Sequence, residues 1–98
     1  METIIKNGKE NIWITVNERD GGTVTVTSAT FQVFDSSDTS VQASASATIA
    51  DNSTASPDIY GLVDTSVAGF VACNTYYVLF LVTIGTEVLP FERAFKVV

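Results

Sequence analysis

The longest apolar run of the chain, Tyr76-Tyr77-Val78-Leu79-Phe80-Leu81-Val82-Thr83-Ile84, is rich in aromatic and β-branched side chains and is bounded by Asn74-Thr75 and Gly85. Composition and boundaries together predict a strand at the centre of a sheet. Successive strand side chains point to opposite faces, so Tyr76, Val78, Phe80, Val82 and Ile84 share one face and Tyr77, Leu79 and Leu81 the other. Both faces are apolar. A sheet in a two-layer domain ordinarily turns one face to water, so the face bearing Tyr77, Leu79 and Leu81 calls for cover, either from loops of the same chain or from a partner. The Ala/Ser-rich segment described below has side chains too short to supply it, which favours a partner. Few charges lie near these positions in sequence, so the expected interface is apolar at its centre and weakly sensitive to salt.

The same period recurs along the rest of the chain. Ile12, Ile14 and Val16 alternate with Trp13 and Thr15, which predicts a first strand after the turn-like Lys6-Asn7-Gly8-Lys9, and Trp13 among these apolar neighbours is expected in the core. Asn17-Glu18-Arg19-Asp20-Gly21-Gly22 breaks the pattern and offers the positive-φ positions of a tight hairpin turn. Thr23-Val24-Thr25-Val26-Thr27 alternates strictly, and Thr30-Phe31-Gln32-Val33-Phe34 follows Ser28-Ala29. A kink near Ser28 would make these one bent strand or two strands in different sheets. Asp35-Ser36-Ser37-Asp38-Thr39 is a turn by its density of side chains that hydrogen-bond their own backbone.

From Val41 to Ile49 the alternation is carried by alanine and serine. Such small side chains hold register weakly. The segment is either a strand packed close against a bulky neighbour such as Trp13 or Phe80, or a flexible arm or edge that pairs with another subunit; the persistence of the period favours the first. Ala50 to Asp58 is a polar surface loop, Ile59-Tyr60-Gly61-Leu62-Val63 a short strand, and Gly85-Thr86 a turn into a last strand that holds Leu89, Phe91, Phe95 and Val97. Pro90 lacks an amide donor and so marks an edge or a bulge. The expected core is Ile14, Val24, Phe31, Val33, Leu62, Val78, Phe80, Val82 and Phe95. No window shows a helical apolar stripe. The pattern predicts an all-β fold, an immunoglobulin-like antiparallel β-sandwich of about seven strands, with a small β-barrel as the alternative.

Composition narrows the function. The chain has 98 residues, 46% of them hydrophobic, and residues 1–98 read as one immunoglobulin-like β-sandwich domain. Its end inside a strand is expected of a free-standing product. A net charge of −6 without a Lys/Arg cluster argues against nucleic acid and anionic membranes as partners. There is no apolar run of membrane-spanning length and no signal-peptide pattern, so synthesis in a cytoplasm is expected. Cys73 stands alone, which removes any internal disulfide and the antibody pattern of paired cysteines around a tryptophan. With no basic neighbour it is expected to be a small buried hydrophobe.

The order of features resembles the small immunoglobulin-like structural proteins of tailed bacteriophages. The pieces that carry the resemblance are Asn7-Gly8-Lys9 before an Ile-Trp-Ile strand, Glu18-Arg19-Asp20-Gly21-Gly22, Ser28-Ala29-Thr30-Phe31-Gln32-Val33-Phe34-Asp35, Tyr76-Tyr77-Val78-Leu79-Phe80, Gly85-Thr86-Glu87 and Phe95-Lys96-Val97-Val98. The resemblance implies a virion component made in the host cytoplasm: a capsid decoration protein, or a neck or baseplate part. The implied partners are other virion proteins (major capsid, neck or tail) and a second copy of the chain.

No catalytic site is expected. Histidine is absent, and no Gly-x-Ser-x-Gly turn activates a serine. The carboxylates sit in turns, where solvation and capping are their usual work. Asp35 with Asp38, or Asp51 with Asp58, could share a calcium ion with backbone carbonyls, but the spacing is not that of an EF-hand, and neither a metal site nor a cofactor is assigned. The expected function is a non-enzymatic structural role with Tyr77, Leu79 and Leu81 at the protein interface. The alternative is a carbohydrate- or receptor-binding module on the particle surface, for which Phe70 and Tyr60 are the aromatic candidates near loops.

Overall fold

The structure is a computed structural model that describes residues 1–17 and 21–98. Glu18, Arg19 and Asp20, on which the expected turn after the first strand partly falls, lie outside the described residues. The strands are β1 (Glu2–Ile4), β2 (Lys9–Thr15), β3 (Ser28–Asp35), β4 (Ser40–Ser46), β5 (Thr48–Ala50), β6 (Asp58–Asp64), β7 (Thr75–Ile84) and β8 (Glu87–Val97). Among the described residues there is no helix.

Two sheets form. One has the order β1-β8-β7-β3-β4 and the other β2-β6-β5. The first is antiparallel except where β1 runs parallel to β8, from Glu2 opposite Phe95 to Ile4 opposite Val97. The second is antiparallel throughout, with Lys9 to Thr15 opposite Asp64 to Asp58. The inward faces share one core. Ile12, Ile14, Ile59 and Val63 from the smaller sheet meet Phe31, Val33, Val78, Phe80, Val82, Phe95 and Val97 from the larger. This is the two-layer sandwich that the alternating pattern predicts; the described strands form two separate sheets and no closed barrel.

The run from Tyr76 to Ile84 becomes β7 and occupies the middle of the five-stranded sheet, between β3 and β8. Tyr76, Val78, Phe80 and Val82 are buried, as their shared parity predicts. The β7–β8 hairpin turns on Gly85 and Thr86, with Gly85 at φ 64°, the conformation a two-residue hairpin loop demands of its first central residue. Tyr76 anchors the approach to β7. Its hydroxyl accepts from the Val71 amide at 2.7 Å and donates to the Gly69 carbonyl at 3.2 Å. Its ring lies 4.9 Å from that of Phe70 and 5.8 Å from that of Phe95.

The expected core is largely as read, with one exception. Leu62 is 47% exposed, while its neighbours Gly61 and Val63 are buried. Parity decides this: Ile59, Gly61 and Val63 face inward, so Leu62 faces out. Gly61 faces the Phe31 ring so closely that a methyl added there would lie 2.5 Å from Phe31 Cγ. Here the glycine makes room for an aromatic ring from the opposite sheet.

Three further expectations are corrected. The 23–27 run forms no strand. Val24 and Val26 are buried, but the Val24 amide bonds the Thr54 carbonyl at 2.7 Å, and Val26 is held by the side-chain amide of Asn52. Asn52 accepts from Val26 N at 2.8 Å and donates to Val26 O at 2.9 Å, standing in for a neighbouring strand. Among the described residues β2 pairs only with β6, so the chain does not fold back as a hairpin onto 23–27. The kink near Ser28 instead separates a segment bonded to the loop between β5 and β6 from β3 in the larger sheet.

The Ala/Ser run is two strands, not one. It leaves the larger sheet at Ser46 and enters the smaller at Thr48, which with β1 brings the strands among the described residues to eight. β4 is an edge strand beside β3, and Ala43, Ser44, Ala45 and Ser46 are exposed, so no bulky neighbour such as Trp13 or Phe80 packs on them. Its register against β3 shifts twice, and Gln42 turns toward β6. There Gln42 Nε2 donates to the Leu62 carbonyl at 3.0 Å and Oε1 accepts from the Asp64 amide at 3.1 Å. A side-chain amide thus ties one sheet to the other.

Candidate protein-interaction face

The outer face of the five-stranded sheet is assembled by register. Across β7, Tyr77 lies opposite Phe34 of β3 and Ala94 of β8, Leu79 opposite Gln32 and Glu92, and Leu81 opposite Thr30 and Pro90. Tyr77 and Leu79 are partly buried and Leu81 is 40% exposed. Tyr77 and Phe34 stack with ring centroids 5.3 Å apart and planes 18° from parallel. The three residues therefore stand in one row on one face, as their alternation predicts. Val88, beyond Pro90 on the same face of β8, extends the apolar surface and is exposed.

Few charges lie near these positions in sequence, but the fold brings carboxylates to them from other strands and turns. The Tyr77 hydroxyl donates to Asp38 Oδ1 at 2.7 Å, Glu92 stands beside Leu79, and Asp35 ends β3 opposite Tyr76. The hydrogen bond to Asp38 favours the protonated phenol, and the charges of Asp38, Glu92 and Asp35 add to it, so the Tyr77 pKa is pushed up to about 12. Asp38 sits at φ 63°, tolerable for an aspartate in a turn, and Asp35 Oδ1 accepts from the Ser37 and Thr39 amides at 2.8 and 3.0 Å. These acids were legible as turn residues; their convergence on Tyr77 depends on register, which the sequence does not state.

A second exposed apolar patch lies on the opposite side of the sandwich. Trp13, expected in the core, is 46% exposed on the outer face of β2. The inward positions of that strand belong to Ile12 and Ile14, so the tryptophan takes the other parity. It packs against Tyr60 of β6, opposite in register, with ring centroids 4.2 Å apart. Leu62 extends this patch. Beside it Thr15 Oγ1 donates to Asp58 Oδ1 at 2.7 Å. Phe70, the other aromatic candidate for ligand stacking, is buried against Tyr76 and Phe95.

The remaining candidate groups do not converge. Among the described residues no three acidic or cysteine side chains are placed to hold a metal ion, and no pocket forms. Cys73 is exposed, at φ 72° in the turn before β7, and is not the buried hydrophobe expected; its amide is what the fold uses, donating to Val97 O at 2.6 Å. Asp64 is held below the usual carboxylate range by the Ser66 hydroxyl and amide, with Lys9 4.0 Å away.

Compared with known proteins, the chain matches no family model, and no curated protein sequence matches it. What the fold and the two faces define is an all-β sandwich with exposed apolar surface on both outer sides.

Proposed function

We propose that the chain is an immunoglobulin-like sandwich acting as a non-enzymatic structural protein of a phage virion, docked on major capsid, neck or tail proteins through Tyr77, Leu79 and Leu81. The immunoglobulin-like reading is supported by strand order. If β4 is lettered C′ and the other strands A to G in chain order, β2-β6-β5 corresponds to B-E-D and β4-β3-β7-β8 to C′-C-F-G. It is further supported by Tyr76, whose hydroxyl reaches back to backbone a few residues upstream of β7, in the manner of a tyrosine corner. The observation that carries the structural role is the apolar row on the outer face of β7, which the chain's own loops leave uncovered at Leu81. The virion assignment itself rests on the sequence resemblance. Mass spectrometry of purified particles is the test: the chain should be present in a copy number set by particle symmetry, and its absence from intact particles refutes the reading.

A second reading, a carbohydrate-binding module, is favoured by the exposed Trp13 and its contact with Tyr60. An exposed indole beside hydrogen-bonding side chains is a stacking surface for a sugar ring. Trp13 is the only tryptophan, so its fluorescence reports the patch alone. Quenching or a blue shift on titration with a glycan panel, lost in Trp13→Ala, would support this reading, and an unresponsive spectrum across the panel would remove it.

A further inference from the structure

The face around Tyr77 has an apolar centre and an acidic margin, and the two together describe what can cover it. Phe34, Tyr77, Leu79 and Leu81 form the centre. Asp38 lies on the β3 side and Glu92 on the β8 side, while Asp35, opposite the buried Tyr76, has the inward parity and caps its own turn. Among the described residues neither of these two carboxylates, Asp38 and Glu92, has a lysine or arginine within ion-pair distance. Among the described strand residues the cation with this parity is Lys96, opposite Thr75 and separated by β7 from Asp38. Arg93 has the opposite parity on β8 and spends a guanidinium N–H on the Trp13 carbonyl at 3.2 Å.

A second copy laid face to face would bring the same carboxylates together with one lysine from each chain to offset them. Like charges at the margin of an interface are a strong term against a wrong partner, while opposite charges there speed association and set register. Docking would also leave Asp38 and Glu92 partly desolvated, and a carboxylate in that position requires a charged hydrogen-bond donor. We propose that this face takes a different protein whose surface is apolar at its centre and carries arginine or lysine side chains at its margin, placed to meet Asp38 and Glu92, and that it does not take a second copy of this chain. This rests on the reading of the Tyr77 face as a docking surface and adds the chemistry of what docks.

The test uses the whole chain, labelled with nitrogen-15, and two soluble five-residue probes: a peptide alternating lysine and leucine, and its glutamate and leucine counterpart. The lysine peptide should shift the amide resonances of Phe34, Tyr77, Leu79, Leu81 and Glu92, and the glutamate peptide should not. Affinity for the lysine peptide should fall about tenfold or more between about 50 mM and about 500 mM sodium chloride, and Glu92→Lys should weaken it further. Sedimentation of the chain alone should give a monomer. Equal response to both peptides, shifts centred on Trp13 and Tyr60 instead, or self-association abolished by Leu81→Asp would overturn the proposal. The virion reading fails separately, by absence from particles: lysine-selective binding with absence from particles removes that reading and keeps this one, and presence on particles without lysine selectivity does the reverse.

Discussion

Replacing Leu81 by aspartate separates a docking face from a hidden core. Leu81 is 40% exposed, so folding removes only part of its side chain from water. Fully burying a leucine stabilises by about 1.5 to 3 kcal/mol, so the burial lost here is about 1 to 2 kcal/mol. Aspartate's poor fit to a strand adds up to about 1 kcal/mol. The sum, about 1 to 3 kcal/mol, lies below the roughly 5 to 15 kcal/mol that holds a domain of this size together. Leu81→Asp should therefore remain folded, with a urea midpoint lower than wild type and an unchanged slope. Phe80, the next residue, is 0% exposed, and Phe80→Ala should cost about 3 to 5 kcal/mol by the cavity it leaves. The assay pairs urea unfolding of both variants with incorporation into particles. Leu81→Asp should fold and fail to join, and Phe80→Ala should be much less stable. If Leu81→Asp is no more stable than Phe80→Ala, the Tyr77 face belongs to the chain's own core. If it folds and joins particles normally, docking uses another surface.

Three further outcomes follow from single contacts. Asn52→Asp keeps the acceptor for the Val26 amide but sets a carboxylate oxygen against the Val26 carbonyl, which should cost about 2 to 3 kcal/mol at neutral pH. Its folded carboxyl pKa is then raised above the unfolded value, so the deficit relative to wild type should shrink as pH falls from neutrality toward about 4; a deficit that is flat with pH would show that Asn52 does not bridge Val26. Absorbance titration of the wild type against Tyr77→Phe should find the Tyr77 phenol ionising near the value of about 12 that Asp38 imposes, and Asp38→Asn should lower it. The stability this bond contributes is complete below the ordinary phenol pKa of about 10 and is lost as pH rises toward the folded value; a Tyr77 ionisation that ignores Asp38→Asn contradicts the contact. Gly61→Ala drives a methyl into the Phe31 ring and should cost about 3 kcal/mol or more, with the loss partly recovered in Gly61→Ala/Phe31→Leu; simple additivity of the two changes would place the clash elsewhere.

Strand periodicity made β2, β3, β6 and β7 legible because each carries apolar residues of one parity, and the middle position of β7 followed from having apolar residues on both. The errors came where parity had to be weighed against size. Trp13 and Leu62 are large and apolar, yet Ile12 with Ile14 and Ile59 with Val63 had already claimed the inward positions. That signal was in the sequence. The fate of the 23–27 run was not: its alternation is perfect, but whether the partner is a strand or the amide of Asn52 depends on a loop about 26 residues away. The acidic margin was hidden for a related reason, since Asp38 meets Tyr77 across 39 positions of chain.

The edges of the two sheets decide why association is argued on faces. Exposed edges invite strand addition, and β4, the open stretch of β8 and β2 are each blunted against it. Beside β4 the ladder shifts register twice, and Gln42 is committed to the backbone of β6. β1 covers β8 only from Phe95 to Val97, but the open stretch carries Pro90, Glu92 and Arg93. At the edge of β2, the Trp13 carbonyl is already taken by Arg93. Proline removes a donor, charges resist a neighbouring strand, and bulges twist the edge away from one, so an added strand would meet an interrupted row of backbone groups at β4, at the open stretch of β8 and at β2. Apolar surface, by contrast, is left continuous on the outer faces, at Phe34, Tyr77, Leu79 and Leu81 on one side and at Trp13, Tyr60 and Leu62 on the other. A partner that bound by adding a strand would require one of the blunted edges to open; a partner that laid an apolar surface on either face would require no rearrangement of the sandwich.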